Sequence, residues 1–222
     1  MQKRVLRVSS FLRAKTMSKL LLCLLSFALA SCELFSTRTP EPPDLGNTFI
    51  WTPALAPKTL LDNFTGTLEV VDASNYVRCF LAVNDTLVSG DKLTYTFTPR
   101  TGLDAATNDL FKSWTAVSEH DYLAKLRGSL VANARLSILF TNLKIDQPNS
   151  NNAQLSADYV VTLPVAGNSS VPSTISGSFV MSLQLIKTEQ ATTEWRIVAW
   201  TDIATAGSTA KTFTDLKALM SL

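Results

Sequence analysis

A single histidine, His120, in 222 residues is the first constraint. With only three cysteines beside it, Cys23, Cys32 and Cys79, the chain lacks the His/Cys ligand sets that usually hold zinc or copper. No G-x-S-x-G elbow, P-loop or G-x-G-x-x-G fingerprint occurs, so the hydrolases, NTPases and dinucleotide-binding enzymes that depend on them find no support. No cofactor is implied. Nor does any apolar run reach the roughly 20 residues that a spanning helix needs.

What the N-terminal region does contain is a shorter apolar run, "LLLCLLSFALASC", Leu20 to Cys32, behind Lys3, Arg4, Arg7, Arg13, Lys15 and Lys19. No acidic residue precedes Glu33. A basic n-region and a short h-region make a secretory signal. Leu29-Ala30-Ser31-Cys32 resembles the bacterial lipobox, in which a signal peptidase cuts just before a cysteine that is then diacylated. The expected organisation is a signal peptide over 1–31, a lipidated tether over 32–50 and one domain over 51–222. Met17 could open a compact signal of its own, leaving 1–16 as an upstream extension. The tether is extended because "STRTPEPPDLG" is rich in proline, which fixes φ and joins neither helix nor ladder. By resemblance to lipoproteins of Gram-negative bacteria, Glu33 in place of an aspartate points to the outer membrane.

Cleavage before Cys32 removes six basic residues and no acidic one, leaving 14 against 18 and a net charge of −4. The basic balance of the precursor is therefore no footprint of nucleic acid. Cys23 leaves with the signal and Cys32 is acylated, so Cys79 has no partner for an intramolecular disulfide. About 190 residues bury about 70% of their unfolded surface in one domain, and the fold rests on that core.

Along the domain, Leu60, Leu61, Phe64, Leu68 and Val71 mark one amphipathic helix opened by Pro57. Gly66 lowers its intrinsic propensity. "DASNYVRCFLAV" continues with a second stripe through Tyr76, Cys79, Phe80 and Val83, and "KLTYTFTP" alternates as a strand with Leu93, Tyr95 and Phe97 on one side. A helix through Leu110, Phe111, Trp114 and Val117 precedes another with Ser118 as N-cap and Tyr122, Leu123, Leu126 and Leu130 buried. Four strands then follow, separated by the turn-rich "DQPNSNN", "AGNSSVPSTISG" and "KTEQATT". In the last, "TEWRIVAWTDI", strict alternation puts Trp195, Ile197, Ala199 and Ile203 inward and Arg196, Trp200 and Asp202 outward; a one-residue bulge would reverse the later part. "KTFTDLKALM" closes the pattern as a short helix.

The order of elements describes an α+β cone, a curved antiparallel sheet wrapped around N-terminal helices. With "FKSWTAVSEHDYLAKL" leading into the strands and "EWRIVAWTDI" ending the sheet, it resembles the nuclear-transport-factor-2-like (cystatin-like) fold, and bacterial lipoproteins that carry one such domain behind a tether. An all-β lipocalin-like barrel is the alternative. The resemblance implies a cone whose open end holds a small apolar molecule and whose enzymes set Asp, His or Tyr on the inner face. His120, in the first turn of a helix, is expected at the surface, where the helix dipole disfavours the charged form a general acid needs. No catalytic residue is assigned. Tyr95, Tyr159 and Trp195 are the candidate ligand-binding residues, Trp200 the candidate contact to a protein partner, and Cys32 the lipid attachment site that joins the chain to the bilayer. Binding of a small apolar ligand or an envelope protein is favoured over isomerase, dehydratase or cyclase chemistry, with a cavity lined by apolar side chains and no carboxylate beside Tyr159. A buried carboxylate at the floor of the cone would weigh toward catalysis, given its desolvation cost.

Overall fold

A computed structural model describes residues 49–167, 169–188 and 192–221, all within one unit, Asp44–Leu222. The expected signal peptide, Cys32 and the expected tether as far as residue 48 lie outside the described residues.

Pro57 opens α1 (Pro57–Glu69) at a position where its missing N–H is harmless. Leu60, Leu61, Phe64 and Leu68 face inward as the spacing predicts, each worth about 1.5–3 kcal/mol of burial. Gly66 has a packing role: a Cβ there would overlap the ring of Phe49, so the glycine lets the entering chain lie across the helix. The second stripe is shorter than expected. Asp72 caps α2 (Ala73–Tyr76) through Asn75 N, a 3-10 turn carries it to Cys79, and Phe80 then extends to bridge Ile197 in parallel.

After β1 (Thr86–Leu87), β2 spans only Thr96–Thr98, with Tyr95 and Phe97 buried and Leu93 exposed. Asp104 caps α3 (Ala105–Lys112). The helix expected to run on through Trp114 and Val117 breaks at Ser113. Thr115 caps α4 (Ala116–Ser129), its hydroxyl accepting from Ser118 N while Ser118 Oγ accepts from Thr115 N. Ser118 is thus the inner half of a capping box and not the N-cap.

Strands β3 (Ser137–Asp146), β4 (Asn152–Thr162), β5 (Thr174–Lys187) and β6 (Thr193–Ile203) form the antiparallel meander. The full order is β2-β6-β5-β4-β3, with β2 parallel to β6 and β1 on β5. The fold is α+β, a curved open sheet with helices. Among the described residues the sheet ends in two edges, β2 and β3, and does not close into the lipocalin-like barrel. Leu155, Ala157, Tyr159 and Val161 of β4 and Phe179, Met181 and Leu183 of β5 are buried on the face the alternation selects. Against that face pack α1 and the last helix, α5 (Phe213–Ser221), which also meets α4.

Two bulges interrupt the ladders. In β3 two residues, Asn142 and Leu143, oppose one between Thr141 and Lys144, and Asn142 takes φ 52°, a conformation asparagine tolerates. In β6 the ladder passes from Ser182↔Ala199 to Leu183↔Ile197, leaving Val198 as the extra residue. Ile197 and Val198 are both buried, and every side chain beyond Val198 changes face. Strict alternation therefore fails for Trp200 and Asp202: they point into the core, at 0% and 1% exposure. Trp200 becomes an aromatic hub, its ring 5.6 Å from Phe64, 5.5 Å from Phe97 and 5.1 Å from Phe213, with Phe80 stacked at 6.3 Å.

Candidate functional site

Two acidic side chains lie inside this apolar shell, Glu119 and Asp202, where an unpaired charge would cost several kcal/mol. Glu119 arrives on α4 because it stands three residues before Tyr122 and seven before Leu126, on the same face. Its Oε1 accepts from Tyr95 Oη at 2.6 Å, Trp114 Nε1 at 2.8 Å and Lys217 Nζ at 2.6 Å, and Tyr76 Oη reaches Oε2 at 3.4 Å. Tyr76 and Tyr122 hydroxyls meet at 3.2 Å. Lys217 comes from α5, four residues after Phe213, and neither it nor Glu119 has any exposed side chain. The ammonium also lies 3.6 Å from the ring centroids of both Phe97 and Trp200. Burial pushes the Lys217 pKa down to about 8 despite Glu119. Burial, with Glu119 adding to it, raises Tyr95, Tyr122 and Tyr76 well above the usual phenol value, and for Tyr76 the Tyr122 hydroxyl is the second cause.

Asp202 forms the second network. Tyr159 donates to its Oδ1 at 2.7 Å, and Thr214 supplies Oδ2 with a backbone N–H at 2.7 Å and a hydroxyl at 2.6 Å. Tyr159 Oη in turn accepts from Phe213 N at 2.9 Å. Burial and then Asp202 hold the Tyr159 pKa far above that of a free phenol. Gly177, directly across the ladder from Tyr159, makes this possible: a Cβ there would stand 2.8 Å from Tyr159 Oη and 2.7 Å from Ile203 O.

A carboxylate therefore does sit beside Tyr159, contrary to the sequence-based expectation. Every oxygen of the pair is engaged, and Thr214 and Phe213 close the site from α5. Tyr95, Tyr159 and Trp195 all face inward, yet they serve different neighbours: Tyr95 binds Glu119, Tyr159 binds Asp202, and Trp195 N donates to Ala54 O. Trp200, expected as an outward partner contact, is corrected to a core residue, and its Nε1 finds no acceptor among the described residues. His120 is half-exposed, with Nδ1 2.9 Å from Asp121. Glu119 and Lys217 were missed by the sequence reading, although each falls on a core position of an otherwise apolar helical stripe.

Two recesses open beside these networks and at the surface. One groove of about 460 Å³ is lined by Arg100, Leu103, Asp104, Lys211, Asp215 and Leu219; in it Arg100 clasps Asp215 with two nitrogens at 2.9 and 3.1 Å. Although partial burial acts to raise the Asp215 pKa, Arg100 holds it below the ordinary carboxylate value. A smaller apolar recess of about 160 Å³ lies between Leu81, Val83, Tyr95 and Val117. Among the described residues no cluster of His, Cys, Asp or Glu suits a metal ion, and no helix is long and apolar enough to cross a membrane.

No protein-family model matches the chain, and no curated protein matches it. Solved structures do resemble it. A cystatin-like protein of unknown function from Nostoc punctiforme is 13% identical, with 70% of this chain and 98% of that one covered at a TM-score of 0.39. An NTF2-like protein of unknown function in nutrient uptake from Rhodospirillum rubrum is 11% identical over 68% of this chain and 98% of that one, at 0.43. A ketosteroid isomerase-like protein from Erwinia carotovora atroseptica is 6% identical over 66% and 91%, at 0.38. Their names stay with them; the α+β architecture rests on this chain's own strands and helices.

Proposed function

We propose that this chain is a lipid-anchored envelope protein whose domain binds a protein partner on the outer face of its sheet and carries out no chemistry. The observation that carries the non-catalytic reading is the saturation of Glu119 and Asp202. A general acid or base must reach a reacting atom, whereas here seven donor contacts from within the fold occupy the two groups. The saturated carboxylates and the aromatic packing around Trp200 also move binding outward, away from the small apolar ligand that an open cone would take. On the outer face Leu139 of edge strand β3 pairs with Val160 of β4, and the two are 59% and 42% exposed. An apolar cross-strand pair beside an unpaired edge is a surface that a partner would cover. The anchor rests on the charge-flanked run ending at Cys32.

Two experiments test the two halves separately. Cys32→Ala should release the protein from the membrane fraction; a variant still acylated and membrane-bound rules out the anchor. A photo-crosslinker at position 160 should capture a discrete partner in cells, and Leu139→Lys should abolish that adduct without lowering Tm. An adduct unchanged by Leu139→Lys rules out the outer-face site.

The 2.7 Å contact between Tyr159 and Asp202 favours one alternative, an isomerase, dehydratase or cyclase that opens when α5 withdraws. Turnover of an apolar cyclic substrate that Tyr159→Phe abolishes would establish it; absence of turnover in both proteins favours the binding reading.

A further inference from the structure

The surroundings of Lys217 are built as a receptor for a cation. Four aromatic rings lie within 6 Å of its nitrogen: Phe97 and Trp200 at 3.6 Å, Tyr122 at 5.5 Å and Trp114 at 5.7 Å. Ring faces attract ammonium groups through their quadrupoles, most strongly where water is excluded. Glu119 supplies the counter-charge at 2.6 Å and is itself fixed by Tyr95 and Trp114.

None of these groups comes from α5. Phe97 belongs to β2, Trp200 to β6, Tyr122 and Glu119 to α4, and Trp114 to the link before α4. The cation alone is delivered by α5, a nine-residue helix joined to β6 through an exposed stretch, 205–211. Cage and occupant are thus separate parts of the fold. Burial makes the lysine a costly occupant, since its proton is held less tightly than in water.

We propose that Glu119, Phe97, Trp200, Tyr122 and Trp114 form a binding site for a primary alkylammonium group, with Lys217 as its tethered occupant and α5 as the plug that carries it. The site is distinct from the outer sheet face, so either assignment can fail while the other stands. Its ligand class is an aliphatic chain ending in a primary ammonium, because one carboxylate and flanking ring faces suit a compact cation on an apolar stem.

The test uses the full-length protein with Lys217→Ala, which deletes three carbons and the nitrogen, and n-propylammonium chloride, which returns them. Lys217→Ala should melt below the parent protein, and n-propylammonium should raise its Tm with a saturable dose dependence, as expected of a ligand that binds the folded state. Neither 1-propanol nor sodium chloride at equal concentration should do so, and the parent protein, its site filled, should not respond. Adding Glu119→Gln to Lys217→Ala should remove the effect. An equal rise with 1-propanol, an equal rise in the parent protein, or no rise in a folded Lys217→Ala protein overturns the proposal. Should Lys217→Ala not fold alone, refolding with n-propylammonium but not with 1-propanol supports the proposal, and refolding with neither overturns it.

Discussion

Thr214 and Lys217 stand three residues apart on α5, and each holds a different buried carboxylate, Asp202 and Glu119. Neighbours at that spacing share a helix face, so one short helix supplies hydrogen-bond donors to both acidic groups in the core and a counter-charge to Glu119. Removing either contact exposes a charge to a medium that cannot solvate it.

Lys217→Ala should accordingly cost about 3–5 kcal/mol, the range for breaking a buried pair from one side. Replacing both partners, Glu119→Gln with Lys217→Met, should recover most of that loss, because no bare charge is left behind. Urea denaturation of the three proteins measures it. A double variant no more stable than Lys217→Ala would show that the pair is not the source of the cost.

Gly177→Ala should weaken the Asp202 network without touching Asp202. The added Cβ meets Tyr159 Oη and a backbone oxygen, and overpacking of this kind costs about 1–3 kcal/mol. Tyr159→Phe should cost a similar ~1–3 kcal/mol, since it leaves both Asp202 and Phe213 N short of a partner. If both changes act through that hydroxyl, the double variant should lose less than the sum. Full additivity in denaturation would contradict the link.

Stability should show a maximum in alkaline solution. Folded Lys217 releases its proton near pH 8 and an unfolded lysine near 10.5, so between those values the unfolded chain binds more protons and stability rises with pH. Cys79 works in the opposite sense from pH 9, its thiol pushed up to about 12 by burial. The buried tyrosines join it above pH 10, where unfolded phenols ionise first. Tm should climb between about pH 8 and 9, level off, then fall beyond about 10. Lys217→Met should lack the climb; a climb of equal size in that variant would assign it to another group.

Cys79, fully buried, should resist alkylation in the native protein, since the reactive thiolate is suppressed. Peptide mass spectrometry after iodoacetamide treatment at pH 8 should find Cys79 modified rapidly in denaturant and slowly without it. Comparable rates in both conditions would contradict its burial.

Much of this fold is legible in the sequence because its periods are clean. Leu60, Phe64 and Leu68 declare α1, and Tyr159, Val161, Phe179 and Met181 choose the inner face of the sheet without ambiguity. The site is legible only in part. Tyr95 and Tyr159 are identifiable as inward hydroxyls, but their partners are not, because Glu119 and Lys217 carry charge at positions where a pattern of apolar letters merely skips. Asp202 hides for another reason: the geometry of β6 changes midway, and alternating letters do not announce the extra residue.

That extra residue, Val198, works like a phase shift in a wave. Upstream, odd-numbered side chains point to the core; downstream, even-numbered ones do. Deleting Val198 would remove the bulge and leave the pairing on either side of it unchanged, Leu183 with Ile197 and Ser182 with Ala199, so that plain alternation would hold Trp200 and Asp202 in the core. When relatives of this chain are compared, a one-residue gap at this point is the change that leaves the buried set of the strand intact. Chains with the same Trp-x-Asp ending but no counterpart of Val198 would keep the same centre on an unbulged strand, and their alternating letters would declare it openly.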